Sequence, residues 1–287
     1  MVFEFLLLLR EIAVLFSTAI ASYTDLRTGL IYDKLTYPMV ALGALLNIYV
    51  GVFANFMDMT IYFVIALAVF AVCYLLYYTG KLGGGDVKLF VGISLLLPYL
   101  PNHSYPFILL VVFVSAIIAI AALSIYYVPK YFVRGIDFAL NKQGIFNASL
   151  FAMFFALYFA LLFQLGFVQM QLIAVLIAVV IFALLFIAFE KGIRKEFFLK
   201  EIAIGKFEED EIVAWDFLSH EQKEKLGRAL NLRGKRVFEK KEIEKLKKLK
   251  IAKLPVYRNL PKFAPFVFVA AVVIIALPDL FSGFLIV

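Results

Sequence analysis

Two aspartates in this sequence are placed where they could share one chemical task. Asp25 follows a long apolar segment, and Asp86 ends a run of three glycines, Gly83, Gly84 and Gly85, just before another apolar segment. An ionisable residue at the edge of a membrane span is costly, so a functional role is its default interpretation. The structural alternative is a helix N-cap at Asp86, because Asp accepts backbone N–H bonds well and glycine commonly precedes a helix.

A pair of carboxylates predicts acid–base hydrolysis. Two carboxylates in contact do not both ionise comfortably, so one keeps a proton while the other stays charged. The charged member takes a proton from a water that attacks a peptide carbonyl, and the protonated member donates to the carbonyl oxygen. This chemistry needs no metal, cofactor or covalent nucleophile. The glycines are expected to let backbone approach a substrate strand and to adopt a φ that other residues resist.

The composition sets the class of protein that must position these groups. Of the 287 residues, 64% are hydrophobic and only 17% are charged, well outside the range of a soluble domain. The sequence therefore predicts an all-α polytopic membrane protein. Its single cysteine, Cys73, excludes an internal disulfide and a cysteine-rich zinc site.

Eight apolar segments follow one another along the chain. About 20 apolar residues cross about 30 Å of hydrocarbon, so most of these segments predict spanning helices. The first segment lacks a signal-peptide cleavage pattern, so we interpret it as a span that is retained. A turn near Gly166 is expected to separate the sixth segment from the seventh. The fourth is short, which suits a helix surrounded by protein. The segments are about 3–23, 35–54, 59–79, 87–100, 106–128, 147–165, 169–189 and 264–286.

The distribution of basic residues predicts an orientation. Lys and Arg occur in alternate loops, and cytoplasmic loops carry the excess of such residues. The pattern predicts both termini outside the cell, with Asp25 and Asp86 at the cytoplasmic face. The two aspartates lie 61 positions apart (86 − 25), so the first helix must pack beside the fourth to bring them together.

The polar stretch 190–262 carries the whole net charge of +7. Ser219 and Gln222 predict a capping box that opens a helix through Leu230, and a second helix is expected from about Glu239 to Leu254. We expect a small basic cytoplasmic α or α+β domain facing anionic lipid headgroups, with no nucleic-acid partner. The predicted organisation is a membrane catalytic core, 1–189, this domain, 190–262, and a C-terminal transmembrane helix, 263–287.

At the aspartates the chain resembles the GxGD membrane aspartyl proteases, and among them the archaeal type IV prepilin peptidases. The run Gly83-Gly84-Gly85-Asp86-Val87-Lys88 fits the second motif, and Asp25 with Arg27 and Ile31 fits the first. The segment Leu260-Pro261-Lys262-Phe263-Ala264-Pro265-Phe266 before the last span resembles the carboxy-terminal part of archaeal members.

The resemblance implies an aspartic endopeptidase with Asp25 and Asp86 as its catalytic pair. Its substrates would be prepilin or prearchaellin precursors, whose short basic leader is removed at the cytoplasmic face of the cell membrane. Asp33 is a candidate for attracting that leader, against a plain loop role. Tyr32-Asp33 stands where many bacterial relatives have Pro-Asn. Relatives that also methylate their product carry a four-cysteine zinc loop. Because this chain has one cysteine, no methyltransferase activity is expected.

Two alternatives to the peptidase remain open from sequence. A transporter or channel-like protein would use Asp25 and Asp86 in a proton or cation path, with the glycine run as a helix hinge. Against it, both aspartates are predicted at one membrane edge, and no inverted repeat is evident. An inactive relative retained as an assembly factor is the third possibility. The precursor processed and the oligomeric state are not encoded in any recognisable motif.

Overall fold

A computed structural model describes residues 2–79, 82–101, 103–165, 170–207, 211–230, 243–244 and 253–282. The α-helices within these ranges are α1 Val2–Thr28, α2 Asp33–Phe53, α3 Phe56–Tyr78, α4 Gly84–Leu96, α5 Phe107–Arg134, α6 Phe138–Gln164, α7 Met170–Ile193, α8 His220–Leu230, α9 Ala264–Ala276 and α10 Asp279–Ser282. The strands are β1 Leu199–Ala203, β2 Ile212–Val213 and β3 Lys253–Tyr257.

Five helices in the described ranges are long and apolar enough to cross a membrane: α1, α2, α3, α5 and α6. This confirms a multi-pass helical membrane protein, and the total of eight spans stays a prediction. Helices α6 and α7 are separate, as predicted, although the expected turn residue Gly166 lies outside the described residues.

Two apolar helices are shorter than a span. Helices α4 and α9 have 13 residues each, which is about 20 Å of helix against about 30 Å of hydrocarbon. The short fourth helix was predicted. The last apolar segment was expected to be continuous, but α9 ends at Ala276, and Pro278 separates it from the four residues of α10. Pro lacks the N–H that would extend the helix, so the interruption follows from the sequence.

The backbone contacts divide the chain into two compact units. Of the described residues, one unit contains those up to Ala116 and those from Lys262 onward, and the other contains those between Ile117 and Pro261. The predicted boundaries at 189 and 262 separate membrane regions from a cytoplasmic one, which a division by backbone contacts does not test, so they stay a prediction.

In the first unit, α4 is enclosed by α1, α2 and α3. A Cβ added at Gly43 of α2 would lie 2.7 Å from the Leu95 backbone carbon, and one added at Gly92 of α4 would lie 3.1 Å from Met39 Cβ. Glycines at these crossings let α2 and α4 approach closely. Most side chains of α4 are buried as a result, which confirms the expectation of a helix surrounded by protein.

In the second unit, α6 packs against α7. A Cβ at Gly144 would lie 2.7 Å from the carbonyl oxygens of both Ile187 and Ala188, so only glycine permits this crossing. Asn141 links the helices by donating to the Tyr131 hydroxyl (2.8 Å) and accepting from the Gly192 N–H (2.9 Å).

The same unit contains a small antiparallel sheet in the order β1-β3-β2. Helix α8 begins with the predicted capping box, in which the Gln222 N–H donates to Ser219 Oγ (3.2 Å) and the Ser219 N–H donates to Gln222 Oε1 (2.9 Å). Apolar side chains of the sheet and α8, among them Leu226 and Leu254, form a common core. The α+β option for this region is confirmed.

The predicted helix from Glu239 to Leu254 is wrong at its end. Leu254 lies in β3, and most of the remaining predicted helix falls outside the described residues. Pro255 occupies the central strand, where proline is normally excluded. Its carbonyl accepts from the Ala214 N–H (2.9 Å), just beyond the end of β2. Pro255 therefore lacks its N–H at a position where the pairing of β2 with β3 has already ended.

Candidate active site

Asp25 lies in the last turn of α1 and is only 7% exposed. The helix stops just after it, because Gly29 adopts a left-handed φ of 73° and its N–H donates to the Asp25 carbonyl (2.8 Å). A carboxylate near a helix C-terminus is disfavoured by the helix dipole. The Asp25 side chain offsets this by accepting from the Ala264 N–H (3.2 Å), at the positive N-terminus of α9.

Asp86 lies in the first turn of α4, where a carboxylate is favoured. The N-cap is Gly83, and Asp86 Oδ2 accepts from the Gly83 N–H (3.2 Å). The interpretation of Asp86 as the N-cap that opens the fourth helix is therefore wrong, because the helix begins two residues earlier, at Gly84. The carboxylate serves the cap from inside the helix, as the acidic member of a capping box does.

The two carboxylates influence each other electrostatically. Helices α1 and α4 pack together within the first unit, and Asp86 lies outside the five candidate spans. Burial, with the neighbouring Asp25 charge as the second cause, raises the pKa of Asp86 to about 6, against the lowering effect of the Gly83 N–H bond. The arrangement therefore favours Asp86 as the member that holds a proton.

The glycine run is needed for close approach rather than for unusual backbone angles. Among the described residues the positive-φ glycines are Gly29 and Gly135, so the expected positive φ at residues 83–85 is wrong. A Cβ at Gly85 would lie 2.9 Å from Ile31 Cβ, and one at Gly83 would lie 2.9 Å from Asp86 Oδ2. The absence of a side chain at Gly85 therefore lets the segment between α1 and α2, which contains Ile31, lie beside the start of α4.

Asp33, the predicted leader-binding residue, is the first residue of α2 and is already paired. Lys88 Nζ lies 2.5 Å from Asp33 Oδ1, and the same ammonium lies 5.1 Å from the centroid of the Tyr37 ring. Both side chains are partly exposed. A basic leader would have to compete with Lys88 for this carboxylate, so the role of Asp33 stays a prediction.

Sequence reasoning missed the part that α9 plays at Asp25. The segment 260–266 was recognised only as similar to archaeal family members, with no role for any atom. In the structure the Ala264 N–H donates to Asp25, and the Phe263 ring lies edge-on to the Phe90 ring of α4 at 6.2 Å between centroids. The start of α9 therefore contacts both helices that carry the aspartates.

Residues 12–124 match the type IV leader peptidase family. The similarity covers less than half of the 287 residues. All six predicted site residues, Asp25, Asp33, Gly83, Gly84, Gly85 and Asp86, fall inside it. The leader-peptidase segment thus contains α2, α3 and α4 complete, together with parts of α1 and α5.

The chain is also similar to the prepilin peptidase EppA of Methanothermobacter thermautotrophicus (strain Delta H). The two are 35% identical over 123 residues, which cover 38% of this chain and 32% of that protein. The chain thus matches about a third of the length of this curated relative. No solved structure matches the chain.

Proposed function

We propose that this protein is a membrane aspartic endopeptidase that removes the short basic leader of type IV pilin-like or archaellin precursors. The observation that carries the proposal is the electrostatic coupling of Asp25 and Asp86 across the contact between α1 and α4. The match of residues 12–124 to the type IV leader peptidase family supports the same reaction and favours it over a transporter.

The geometry suggests different roles for the two aspartates. Asp25 is the general base: its carboxylate takes a proton from water as the water oxygen bonds to the scissile carbonyl carbon. Asp86 is the general acid and gives its proton to the carbonyl oxygen, forming a neutral tetrahedral diol. Collapse of the diol returns a proton to Asp86 while Asp25 passes its proton to the leaving nitrogen, and the C–N bond breaks. Both residues then regain their starting protonation states.

We further propose that the site faces the cytoplasm, with eight spanning segments and both termini outside. The basic residues near the aspartates, including Arg27 and Lys88, support this orientation. The scissile bond of a precursor lies where its basic leader meets its hydrophobic segment. A site at the membrane edge suits that bond, because the leader remains in water while the hydrophobic segment stays in the bilayer.

The proposal is tested with an archaeal prepilin or prearchaellin coexpressed with this chain. Mass spectrometry of the precursor N-terminus reports cleavage. We expect Asp25→Asn and Asp86→Asn each to lower the cleavage rate at least about 100-fold, the scale of a lost acid or base. Retained processing in both variants would exclude the aspartyl mechanism.

A matched control separates lost chemistry from lost folding. Asp58 lies in the first turn of α3, after a loop that carries no Lys or Arg and is therefore predicted to lie outside the cell. Asp58→Asn makes the same change in charge and should leave cleavage within about twofold, the range of an uninvolved side chain. The midpoint of thermal unfolding of each purified variant shows whether the three proteins are equally folded.

A further inference from the structure

A cavity of about 560 Å³ lies at the C-terminal end of α5, within the second unit. Its walls combine aromatic rings with two cations. Asn259, whose left-handed φ of 57° turns the chain after β3, completes the rim. The lining residues are Tyr126, Tyr127, Pro129, Lys130, Val133, Arg134, Phe197, Phe198 and Asn259.

The two cations differ in their partners. Arg134 donates to Glu196 Oε1 (2.9 Å), and its guanidinium carbon lies 4.7 Å from the centroid of the Phe197 ring. Lys130 Nζ lies 3.5 Å from the centroid of the Tyr126 ring, and it makes no ion pair with any residue that the structure describes. Two cations against one carboxylate leave the cavity wall with an excess positive charge.

The length of α5 indicates where this cavity lies along the membrane normal. The helix has 28 residues, about 42 Å, whereas the hydrocarbon layer is about 30 Å thick. The charged residues of α5 are Lys130 and Arg134, both in its last turns. The uncharged part therefore fills the hydrocarbon layer, and the last turns extend into the headgroup layer. Tyr126 and Tyr127 fall at the boundary, where tyrosine is enriched.

We propose that this cavity binds the phosphate headgroup of an anionic phospholipid. Lys130 is the principal cation and Arg134 the second. The aromatic walls contact the glycerol and the first carbons of the acyl chains. The negative phosphate of such a lipid complements the two cations of the cavity, and the apolar part of the lipid complements the aromatic rings. The proposal does not depend on the peptidase reaction, so lipid binding can be present or absent whatever happens to cleavage.

The test uses the purified full chain in a neutral detergent, titrated with phosphatidylglycerol. Native mass spectrometry counts the bound lipid and gives its apparent dissociation constant. We expect Lys130→Gln to weaken binding about fivefold, the scale of one basic residue at an anionic surface. Lys130→Arg, which keeps the charge, should bind as the parent does.

Lys142 provides the matched control. It is exposed near the start of α6 and does not line the cavity. Lys142→Gln removes the same charge and should leave binding unchanged. Equal weakening in Lys130→Gln and Lys142→Gln would mean that only the overall charge matters, and the proposed site would be wrong.

A third variant predicts a change of opposite sign. Glu196→Gln removes the carboxylate that holds Arg134, so it should strengthen phosphatidylglycerol binding, although it breaks an ion pair of the native fold. Weaker binding in this variant would overturn the proposal. So would equal binding of phosphatidylcholine, which has no net charge. Inorganic phosphate at matched concentration should not displace the lipid, and if it does the site binds free phosphate instead.

Discussion

The two ends of helix α4 are both polar, yet they are built in different ways. At the C-terminal end, Arg10 of α1 donates to the Leu96 carbonyl (2.8 Å), the Leu95 carbonyl (3.3 Å) and Asn47 Oδ1 (2.8 Å). At the N-terminal end, Asp86 accepts from Gly83 and faces the charge of Asp25. One end joins a cation to helix carbonyls, and at the other the charge of Asp25 acts on the Asp86 carboxylate.

We interpret the cluster around Arg10 as structural, and the pair of aspartates is the proposed functional cluster. A cation at a helix C-terminus is favourable, and Arg10 satisfies carbonyls that α4 leaves without internal partners. Like charges at the other end are unfavourable, and folding by itself gives no reason to keep them. A locally unfavourable arrangement that the surrounding structure maintains is typical of an active site.

The strongest contrast is expected between variants at the two ends. Asp86→Asn should lower cleavage at least about 100-fold and raise the midpoint of thermal unfolding, because it removes a carboxylate whose charged form is disfavoured by burial and by the Asp25 charge. Arg10→Met should lower that midpoint, because the Leu96 carbonyl and Asn47 Oδ1 lose a donor, at a cost of about 1–3 kcal/mol in the free energy of unfolding. Cleavage assays and thermal scans on both proteins test the distinction. An Asp86→Asn protein as destabilised as Arg10→Met would show that both ends are structural.

A pair of glycine variants tests how closely α4 must approach the segment after α1. Gly85→Ala places a methyl 2.9 Å from Ile31 Cβ, so α4 has to shift and the carboxylates lose their alignment. We expect kcat to fall about 10- to 100-fold, the range of small misplacements in active sites. Gly84→Ala meets the Tyr77 ring at an ordinary 3.5 Å and should keep the parental rate. Equal kcat values in the two variants would contradict the argument.

The raised pKa predicts the alkaline side of the pH profile. Because Asp86 must hold a proton to act as the acid, kcat/KM should fall about tenfold per pH unit above the Asp86 pKa of about 6. The ordinary pKa is 3.8, so between these values the folded protein binds more protons than the unfolded chain. The stability that protonated Asp86 contributes is therefore lost as pH rises through this window. If kcat/KM stayed constant from about pH 5 to about pH 8, a group other than Asp86 would have to supply the proton.

The smallest effect is expected at the exposed pair beside the start of α4. If Asp33 attracts the leader, Lys88→Gln should lower KM for a basic leader by freeing this carboxylate, and Asp33→Asn should raise it. Each change should be about fivefold or less, because exposed ion pairs contribute little. A precursor with a neutral leader is the control and should not respond. Unchanged KM values in both variants would leave Asp33 with only its ion pair to Lys88 at the start of α2.

The sequence was sufficient for the parts of the site that residue type and spacing encode. The short fourth helix follows from the short apolar segment 87–100, and the aspartates follow from carboxylates beside apolar segments. The start of α4 at Gly84 did not follow, because glycine has low helix propensity and the contact with Ile31 is tertiary. Strand β3 was missed because proline argues against a strand unless the neighbouring ladder is known to end there.

The donor to Asp25 is the clearest case that no sequence pattern could have supplied. It is a backbone N–H, which every residue except proline carries, so Ala264 has no distinguishing side chain. Neither the apolar periodicity nor the glycine motif refers to it. Only the packing of α9 on α1 selects this one amide.

The bond between Asp25 and Ala264 also sets an order of events during biosynthesis. Its partners are separated by 239 positions. At about 5–20 residues per second, a ribosome needs roughly 10 to 50 seconds to add the donor after the carboxylate. For the last 140 of these positions (264 − 124) the nascent chain already contains the whole leader-peptidase segment, which ends at residue 124, but not the amide that donates to its first aspartate. A fragment cut at the limits of the family match would remain in that unfinished state permanently.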